Sequence, residues 1–149
     1  MQRTPPLFVA RARAFSLVEL LMVLTILGVL AAVAVPKFFD YSDQSKEAAT
    51  RAILGNVRSG IANFRANEAL TNGEARYPTI KEIRKIGTVM DEAMPSNPYS
   101  GHKNADQIGD ANKQWKKNKP PVNGSQGWRY DPKNGKFWAN SKTAGENKW

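Results

Sequence analysis

The sequence predicts an α+β protein. One long N-terminal helix, a membrane half followed by an amphipathic half, is expected to pack on a small C-terminal antiparallel β-hairpin or sheet. The 21 residues from Phe15 to Val35 contain one ionisable side chain, Glu19. A helix of that length spans about 30 Å, the thickness of a bilayer's hydrocarbon core. Apolar residues then recur on one helical face through residues 37–70, and residues 127–140 alternate around a turn as a hairpin does.

Charges on either side of the apolar segment predict its orientation. Lys37, Asp40 and Asp43 follow the segment, and three arginines precede it: Arg3, Arg11 and Arg13. The excess of positive charge before the segment places the N-terminus in the cytoplasm and residues 37–149 outside it. We therefore expect a single-pass membrane protein with a leader over residues 1–14, a transmembrane helix over residues 15–36 and a globular domain over residues 37–149.

Glu19 is the anomaly of the apolar segment. A carboxylate at the centre of a membrane helix costs about 2.5–3.5 kcal/mol on insertion scales, so it normally has a partner and a function. Glu19 lies four residues after Phe15. If the chain were cut before Phe15, the new α-amine would lie one helical turn away, where it could pair with its own carboxylate or with that of a neighbouring copy.

The segment from Ala14 to Leu20, Ala-Phe-Ser-Leu-Val-Glu-Leu after a short basic leader, resembles the processing signal of type IV prepilins and type II secretion pseudopilins. The internal Gly28 and the closing Pro36 also match that family, and the layout is most like that of a major pseudopilin. The resemblance implies a pilin-like fold, cleavage between Ala14 and Phe15 by a prepilin peptidase, and N-methylation of Phe15. The family strongly prefers Gly before the cut, where this chain has Ala14.

The resemblance also implies a function, that of a structural subunit of a helical filament. Residues 15–35 of many copies would form its apolar core, and Glu19 would pair with the α-amine of a neighbouring copy. Helix between Gly28 and Pro36 would lose order on assembly. The implied partners are other copies of the chain, the prepilin peptidase and methyltransferase, the inner-membrane assembly machinery, minor pilins and the lipid bilayer. The implied location is the bacterial inner membrane before assembly, with the C-terminal domain periplasmic or extracellular.

The kind of filament is a separate question. Many adhesive type IV pilins have a C-terminal disulfide loop, whereas this sequence has no cysteine. In this respect the chain looks more like a pseudopilin or a minimal pilin, and we expect a pseudopilin that serves type II protein secretion. The alternatives are a small type IV pilin for adhesion, motility or DNA uptake, and a secreted protein whose signal peptide is cut after Ala34.

Local patterns predict the elements of the globular domain. The apolar face of the helix is expected to include Ala49, Ile53, Val57, Ile61 and Phe64. Residues 79–87 form a second, short helix, because Thr79 and Glu82 have capping-box spacing. Residues 95–126, rich in Pro, Asn, Lys and Gly, are expected to be loop. Residues 132–135 supply the hairpin turn.

Two groups of aromatic residues raise the alternative of a membrane-anchored sugar-binding or DNA-binding module. Trp128, Tyr130 and Trp138 of the hairpin are candidates for a carbohydrate patch, although core packing is the simpler interpretation. Trp115 is flanked by four lysines, which together resemble a weak nucleic-acid site: Lys113, Lys116, Lys117 and Lys119. The net charge is +9, and loss of the three leader arginines leaves +6. We expect a solvated basic loop here and no nucleic-acid partner.

Metal and catalytic motifs are weak. Asp106, Asp110 and Asn112 could offer oxygen ligands to calcium, although their spacing does not match an EF-hand loop. We expect no other cofactor. His102 is the only histidine and lies in a predicted loop. The sequence shows no phosphate-binding loop, zinc-ligand spacing or nucleophile motif, so we do not expect an enzyme.

Overall fold

The computed structural model describes residues 15–111 and 120–149 and confirms the α+β class. In chain order the described elements are helix α1 (Leu17–Asn72), helix α2 (Ile80–Arg84), strands β1 (Ile108–Asp110), β2 (Trp128–Asp131) and β3 (Lys136–Ala139), and a 3-10 turn (Glu146–Lys148). The chain divides into two compact units, Met1–Tyr41 and Ser42–Trp149.

Helix α1 has the length that the sequence predicts. It contains Pro36 and ends at Asn72, after which Gly73 adopts a φ of +75°. In the second unit the buried residues of α1 are Thr50, Leu54, Val57 and Ile61. Ile53 and Phe64 are half-buried and Ala49 is exposed, so the predicted face is wrong at its start. In an α-helix, residues spaced four apart are displaced by about 40° around the axis at each repeat, so a run of such spacings drifts off one face. The buried residues Thr50, Leu54, Val57 and Ile61 are spaced by four, three and four residues, which keeps them closer to one face.

Helix α2 starts as its sequence predicts. The Thr79 side chain accepts a hydrogen bond from the Glu82 backbone, and the Glu82 side chain accepts one from the Thr79 N–H, which together form a capping box. The helix ends at Arg84, three residues earlier than expected, and Gly87 with a φ of +80° lies in the turn beyond it. Arg76 links α2 to the end of α1, because its guanidinium contacts both Glu82 and Glu68 at 2.7–3.0 Å.

The sheet has the order β1-β2-β3. Strands β2 and β3 form the predicted antiparallel hairpin, with Tyr130 opposite Phe137, and Gly135 adopts a φ of +67° in its turn. Strand β1 pairs with β2 in parallel, Ile108 opposite Trp128. The expectation of a purely antiparallel sheet and of loop throughout residues 95–126 is therefore wrong at β1. A three-residue strand is too short to show an alternating pattern, and its partner lies 20 residues further along the chain.

The core of the second unit lies between α1 and the sheet, as predicted. It contains Leu54, Val57, Ile61, Ile83, Ile108, Trp128, Tyr130, Phe137 and Ala139. Arg58 adds a polar link at its edge, because its Nε and Nη2 atoms donate to the carbonyl of Phe137 over 3.1 and 2.9 Å. Burial lowers the pKa of this guanidinium.

Candidate functional site

The start of α1 brings the predicted processing residues together. The carbonyl of Ser16 accepts the first helical hydrogen bond, from Leu20, and its Oγ accepts one from the N–H of Val18. The N–H of Ser16 in turn donates to Oε2 of Glu19 over 2.9 Å. Glu19 therefore closes the helix start, one turn from Phe15. The spacing Ser-x-x-Glu at 16–19 is the sequence signal for this cap, and the sequence interpretation missed it.

The apolar half of α1 is unpartnered within the chain. Every residue from Phe15 to Tyr41 is exposed, and Phe15 itself is 79% exposed. Among the described residues, α1 is the one helix with the length and apolar composition to cross a membrane. An exposed apolar surface of this extent indicates contact with lipid or with other protein chains, because burying it in either removes it from water.

The two predicted helix-weakening residues lie inside this segment. Gly28 lies within α1 with open space around the position of a Cβ atom. Pro36 has no N–H to donate to the carbonyl of Ala32, so one helical hydrogen bond is missing there. Both residues are helical in the isolated chain, and the predicted loss of order on assembly stays a prediction.

The hairpin aromatics do not form a surface patch. Trp128, Tyr130 and Trp138 are each at most 1% exposed. The strand register places Trp138 opposite Arg129, on the other sheet face from Trp128 and Tyr130. Their polar atoms donate to the carbonyls of three prolines, at 2.8–3.0 Å: Trp128 to Pro95, Tyr130 to Pro78 and Trp138 to Pro121. Burial raises the pKa of Tyr130. These residues are core, and the carbohydrate patch predicted as an alternative is not formed by them.

Two of the three candidate calcium ligands lie within the described residues. Asp106 lies in an exposed turn, Asp110 ends β1, and Asn112 lies outside the described residues. Within residues 15–111 and 120–149, no three His, Cys, Asp or Glu side chains are placed to hold one metal ion together. The predicted basic loop around Trp115 also lies outside these ranges. His102 is exposed, as expected of a loop histidine.

Comparison with known proteins bears on the start of α1. The family model for the prokaryotic N-terminal methylation motif matches residues 9–35. The type IV narrow pilus major component PilA5 of Thermus thermophilus is 46% identical over 52 residues. The type IV major pilin protein PilA of Myxococcus xanthus is 40% identical over 57 residues. Over about a third of its length, the chain is therefore similar to type IV pilins.

These matches cover only part of the chain. The matches to the two relatives cover 35% and 38% of this chain. They cover 45% and 26% of the relatives, so the chain spans less than half the length of the curated relatives it matches. No solved structure matches it significantly. Both relatives are named as pilins, and neither is named as a secretion pseudopilin.

Proposed function

We propose that this chain is the structural subunit of a type IV pilus, made as a membrane-anchored precursor and assembled through its N-terminal helix. The observation that carries the proposal is the apolar segment from Phe15 to Val35, exposed along its whole length, whose one charged side chain, Glu19, caps the helix one turn from Phe15. The segment overlaps the methylation motif, which supports processing at this point.

In this proposal the precursor has three parts: a leader that is removed, a membrane helix and an outer domain. A leader over residues 1–14 is removed between Ala14 and Phe15 by a prepilin peptidase, and Phe15 is then N-methylated. Residues 15–36 anchor the chain in the bacterial inner membrane before assembly, with the N-terminus in the cytoplasm. Residues 37–149 form the domain outside the cytoplasm. The assembly machinery of the inner membrane and minor pilins are its further partners.

The carboxylate of Glu19 has the geometry for two contacts at once. Its Oε2 accepts the hydrogen bond from Ser16, whereas its Oε1 has no partner among the described residues. In a filament, Oε1 accepts from the α-amine of Phe15 in a neighbouring copy while the helix cap stays closed. Leaving either charge unpaired in an apolar core would cost several kcal/mol, so the pair selects one stagger between copies.

The filament grows because the two contacting surfaces differ. A carboxylate on one copy joins an amine on the next, so the contact is heterologous and generates an open assembly. Gly28 and Pro36 weaken the helix between them by about 1 and 3 kcal/mol. This segment would lose helical order when neighbouring copies pack, as the family resemblance implies.

A filament of the type II secretion system is the second candidate. The absence of cysteine from the sequence is compatible with it, and equally with a small type IV pilin. The names of the two relatives favour the surface pilus. Fractionation of cells that carry the tagged chain at its native level distinguishes the two. A pilus places the chain in the sheared surface fraction, and a secretion filament leaves it in the cell envelope.

Substitution of Glu19 tests the proposal. We expect Glu19→Ala to leave the chain in the membrane at its normal level and to remove it from sheared filaments at least tenfold. Glu47→Ala is the matched control, because Glu47 is an exposed carboxylate on the same helix beyond the apolar segment, paired with Arg51 at 3.0 Å. Normal filaments from Glu19→Ala would overturn the pairing mechanism.

A further inference from the structure

Helix α1 changes character directly after Pro36. From Phe15 to Val35 it is apolar on every side apart from Glu19, whereas residues 37–41 read Lys-Phe-Phe-Asp-Tyr. The three aromatic side chains of this turn are 65–72% exposed, and both charged side chains are exposed as well. The processing and pairing residues lie at the other end of the apolar segment, so they do not account for three exposed rings here.

The turn from Lys37 to Tyr41, called here the aromatic turn, has two different sides. Successive residues of an α-helix are displaced by about 100° around the axis. The rings of Phe38, Phe39 and Tyr41 therefore fall within an arc of about 160°. Lys37 and Asp40 lie on the opposite side, about 60° apart. Neither has a hydrogen-bond or ion-pair partner among the described residues, so both are free to face water or lipid headgroups.

This two-sided composition fits the boundary between the hydrocarbon and the headgroups of a bilayer. Helices at that boundary place aromatic and aliphatic side chains on one side and charged ones on the other. Aromatic rings form belts at membrane interfaces, and a lysine there extends its ammonium towards the headgroups. The aromatic turn directly continues a segment that is long and apolar enough to cross a membrane. Lipid is therefore the partner that the neighbouring sequence supplies.

We propose that the aromatic turn anchors α1 at the outer interface of the bilayer before filament assembly. Its rings lie at the level where the acyl chains meet the headgroups, and the ammonium of Lys37 lies among the lipid phosphates. This inference rests on the membrane-anchored precursor of the proposed function. It does not depend on the pairing of Glu19 between copies, so a failure of that pairing would leave it standing.

The anchor fixes the depth of the whole apolar segment. A hydrocarbon core about 30 Å thick takes about 20 helical residues at a rise of about 1.5 Å each. Counted back from Phe38, the core ends near Val18, which places Glu19 at its inner boundary. The bond between Ala14 and Phe15 then lies about 35 Å from Phe38, beyond the hydrocarbon on the inner side. A carboxylate at this boundary costs less than one at the bilayer centre, because it reaches water and headgroups.

Centring of the apolar residues alone would give a different depth. The middle of residues 15–35 is Thr25, whereas the anchor at Phe38 places the middle of the bilayer near Gly28, about 4–5 Å further along the helix. Thr25 and Ala31 flank Gly28 at equal distances. The anchor therefore gives these two positions the same depth, and simple centring makes Thr25 deeper than Ala31 by about 9 Å.

Spin labels on single cysteines measure these depths, since the chain has no cysteine of its own. The full chain with Thr25→Cys or Ala31→Cys is placed in vesicles of phosphatidylethanolamine and phosphatidylglycerol. Accessibility of each label to oxygen, relative to a water-soluble nickel complex, gives its depth. We expect the two depths to agree within about 4 Å, less than three residues of helical rise. A larger difference would overturn the proposal.

Variants of the aromatic turn show whether its rings hold this depth. In a chain with Phe38→Ser, Phe39→Ser and Tyr41→Ser combined, we expect the label at Thr25 to become the deeper of the two. Phe38→Tyr with Phe39→Tyr is the matched control, because it keeps rings at the same positions and should keep the depths equal. All three rings are exposed, so the serine variant should unfold at the parent's urea midpoint. Unchanged depths in the serine variant would contradict the anchor.

Extraction of the same vesicles with alkaline carbonate separates this inference from the proposed function. We expect the parent chain and both variants to stay with the lipid, because residues 15–35 remain apolar in all of them. A chain that stays with the lipid but has Thr25 deeper than Ala31 in its parent form would overturn the anchor alone. A parent chain that carbonate removes would overturn the membrane-anchored precursor and the anchor together.

Discussion

The backbone N–H of Ser16 donates a hydrogen bond to Oε2 of Glu19 over 2.9 Å, so the one carboxylate of the apolar segment caps the helix that carries it. A helix N-terminus has unpaired N–H groups and a partial positive charge, and a nearby carboxylate stabilises both. This local role competes with filament assembly as the reason for a glutamate at position 19. The two roles require different properties of the side chain, hydrogen-bond acceptance for the cap and negative charge for the pairing.

Glu19→Gln separates the two roles. The glutamine amide oxygen can still accept the hydrogen bond from Ser16, so we expect a normal helix start and a normal level of the mature chain in the membrane. Because glutamine carries no charge to pair with the α-amine of a neighbour, sheared filaments should fall at least tenfold. Filament counts by electron microscopy, with membrane levels by immunoblot, measure both. Abundant filaments from Glu19→Gln but none from Glu19→Ala would assign Glu19 to capping alone.

Gly135 tests the hairpin turn and its packing. An added Cβ atom would collide with the ring of Tyr77, and the φ of +67° is unfavourable for any other L-residue. We expect Gly135→Ala to lower the free energy of unfolding by about 1–3 kcal/mol. Urea titration in detergent, followed by tryptophan fluorescence, measures this change, because Trp128 and Trp138 are buried in the core.

Gly55→Ala is the matched control for that experiment. Gly55 lies on the exposed side of α1 with open space at the Cβ position. Alanine there should raise the free energy of unfolding by about 0.5–1 kcal/mol, since glycine is a poor helix residue. If Gly135→Ala were as stable as the parent chain or more stable, the described geometry of the Gly135 turn would be wrong.

The ion pair between Glu82 and Arg76 predicts a pH dependence. The hydrogen bonds from Arg76, at 2.8 and 3.0 Å, are the main reason that the pKa of Glu82 falls from 4.5 to about 2. A carboxyl with a lowered pKa in the folded state stabilises the fold above its unfolded pKa. That contribution is lost as the pH falls from about 4.5 towards 2.

Comparison of Glu82→Gln with the parent chain at pH 7 and pH 3 measures this contribution. Solvent screens the partly exposed pair, so we expect Glu82→Gln to cost about 1 kcal/mol at pH 7 and less at pH 3. Glu92→Gln, at an exposed position in the loop after α2, should change the stability little at either pH. An equal loss in Glu82→Gln at both pH values would show that the ion pair does not carry the effect.

The sequence predicted the elements whose signals are local. The apolar run and its periodic continuation predicted α1, the Thr79 and Glu82 spacing predicted the start of α2, and the turn chemistry before Gly135 predicted the hairpin. Strand β1 was missed because it exists only through parallel pairing with β2, which is distant in sequence. The side of the sheet on which Trp138 lies depends on the hairpin register, and a count of residues across the four-residue turn would have given it.

The candidate functional residues also differ in whether a local sequence signal predicts them. Phe15 and Glu19 stood out because a lone carboxylate in an apolar run is costly, and this signal needs no tertiary structure. The buried asparagines Asn97 and Asn140 left no motif in the sequence. They are distinguished only by burial and hydrogen bonding, which depend on the tertiary structure.

The N-terminus and the intact mass of the chain in native membranes test the central claim most directly. Prepilin processing predicts a chain that starts at Phe15 and has the mass of residues 15–149 plus one methyl group on the α-amine. That result would confirm cleavage after Ala14 despite the family's preference for Gly. A chain that starts at Val35 would lack both the apolar helix and Glu19, and would contradict the proposal that this protein assembles into a filament through them.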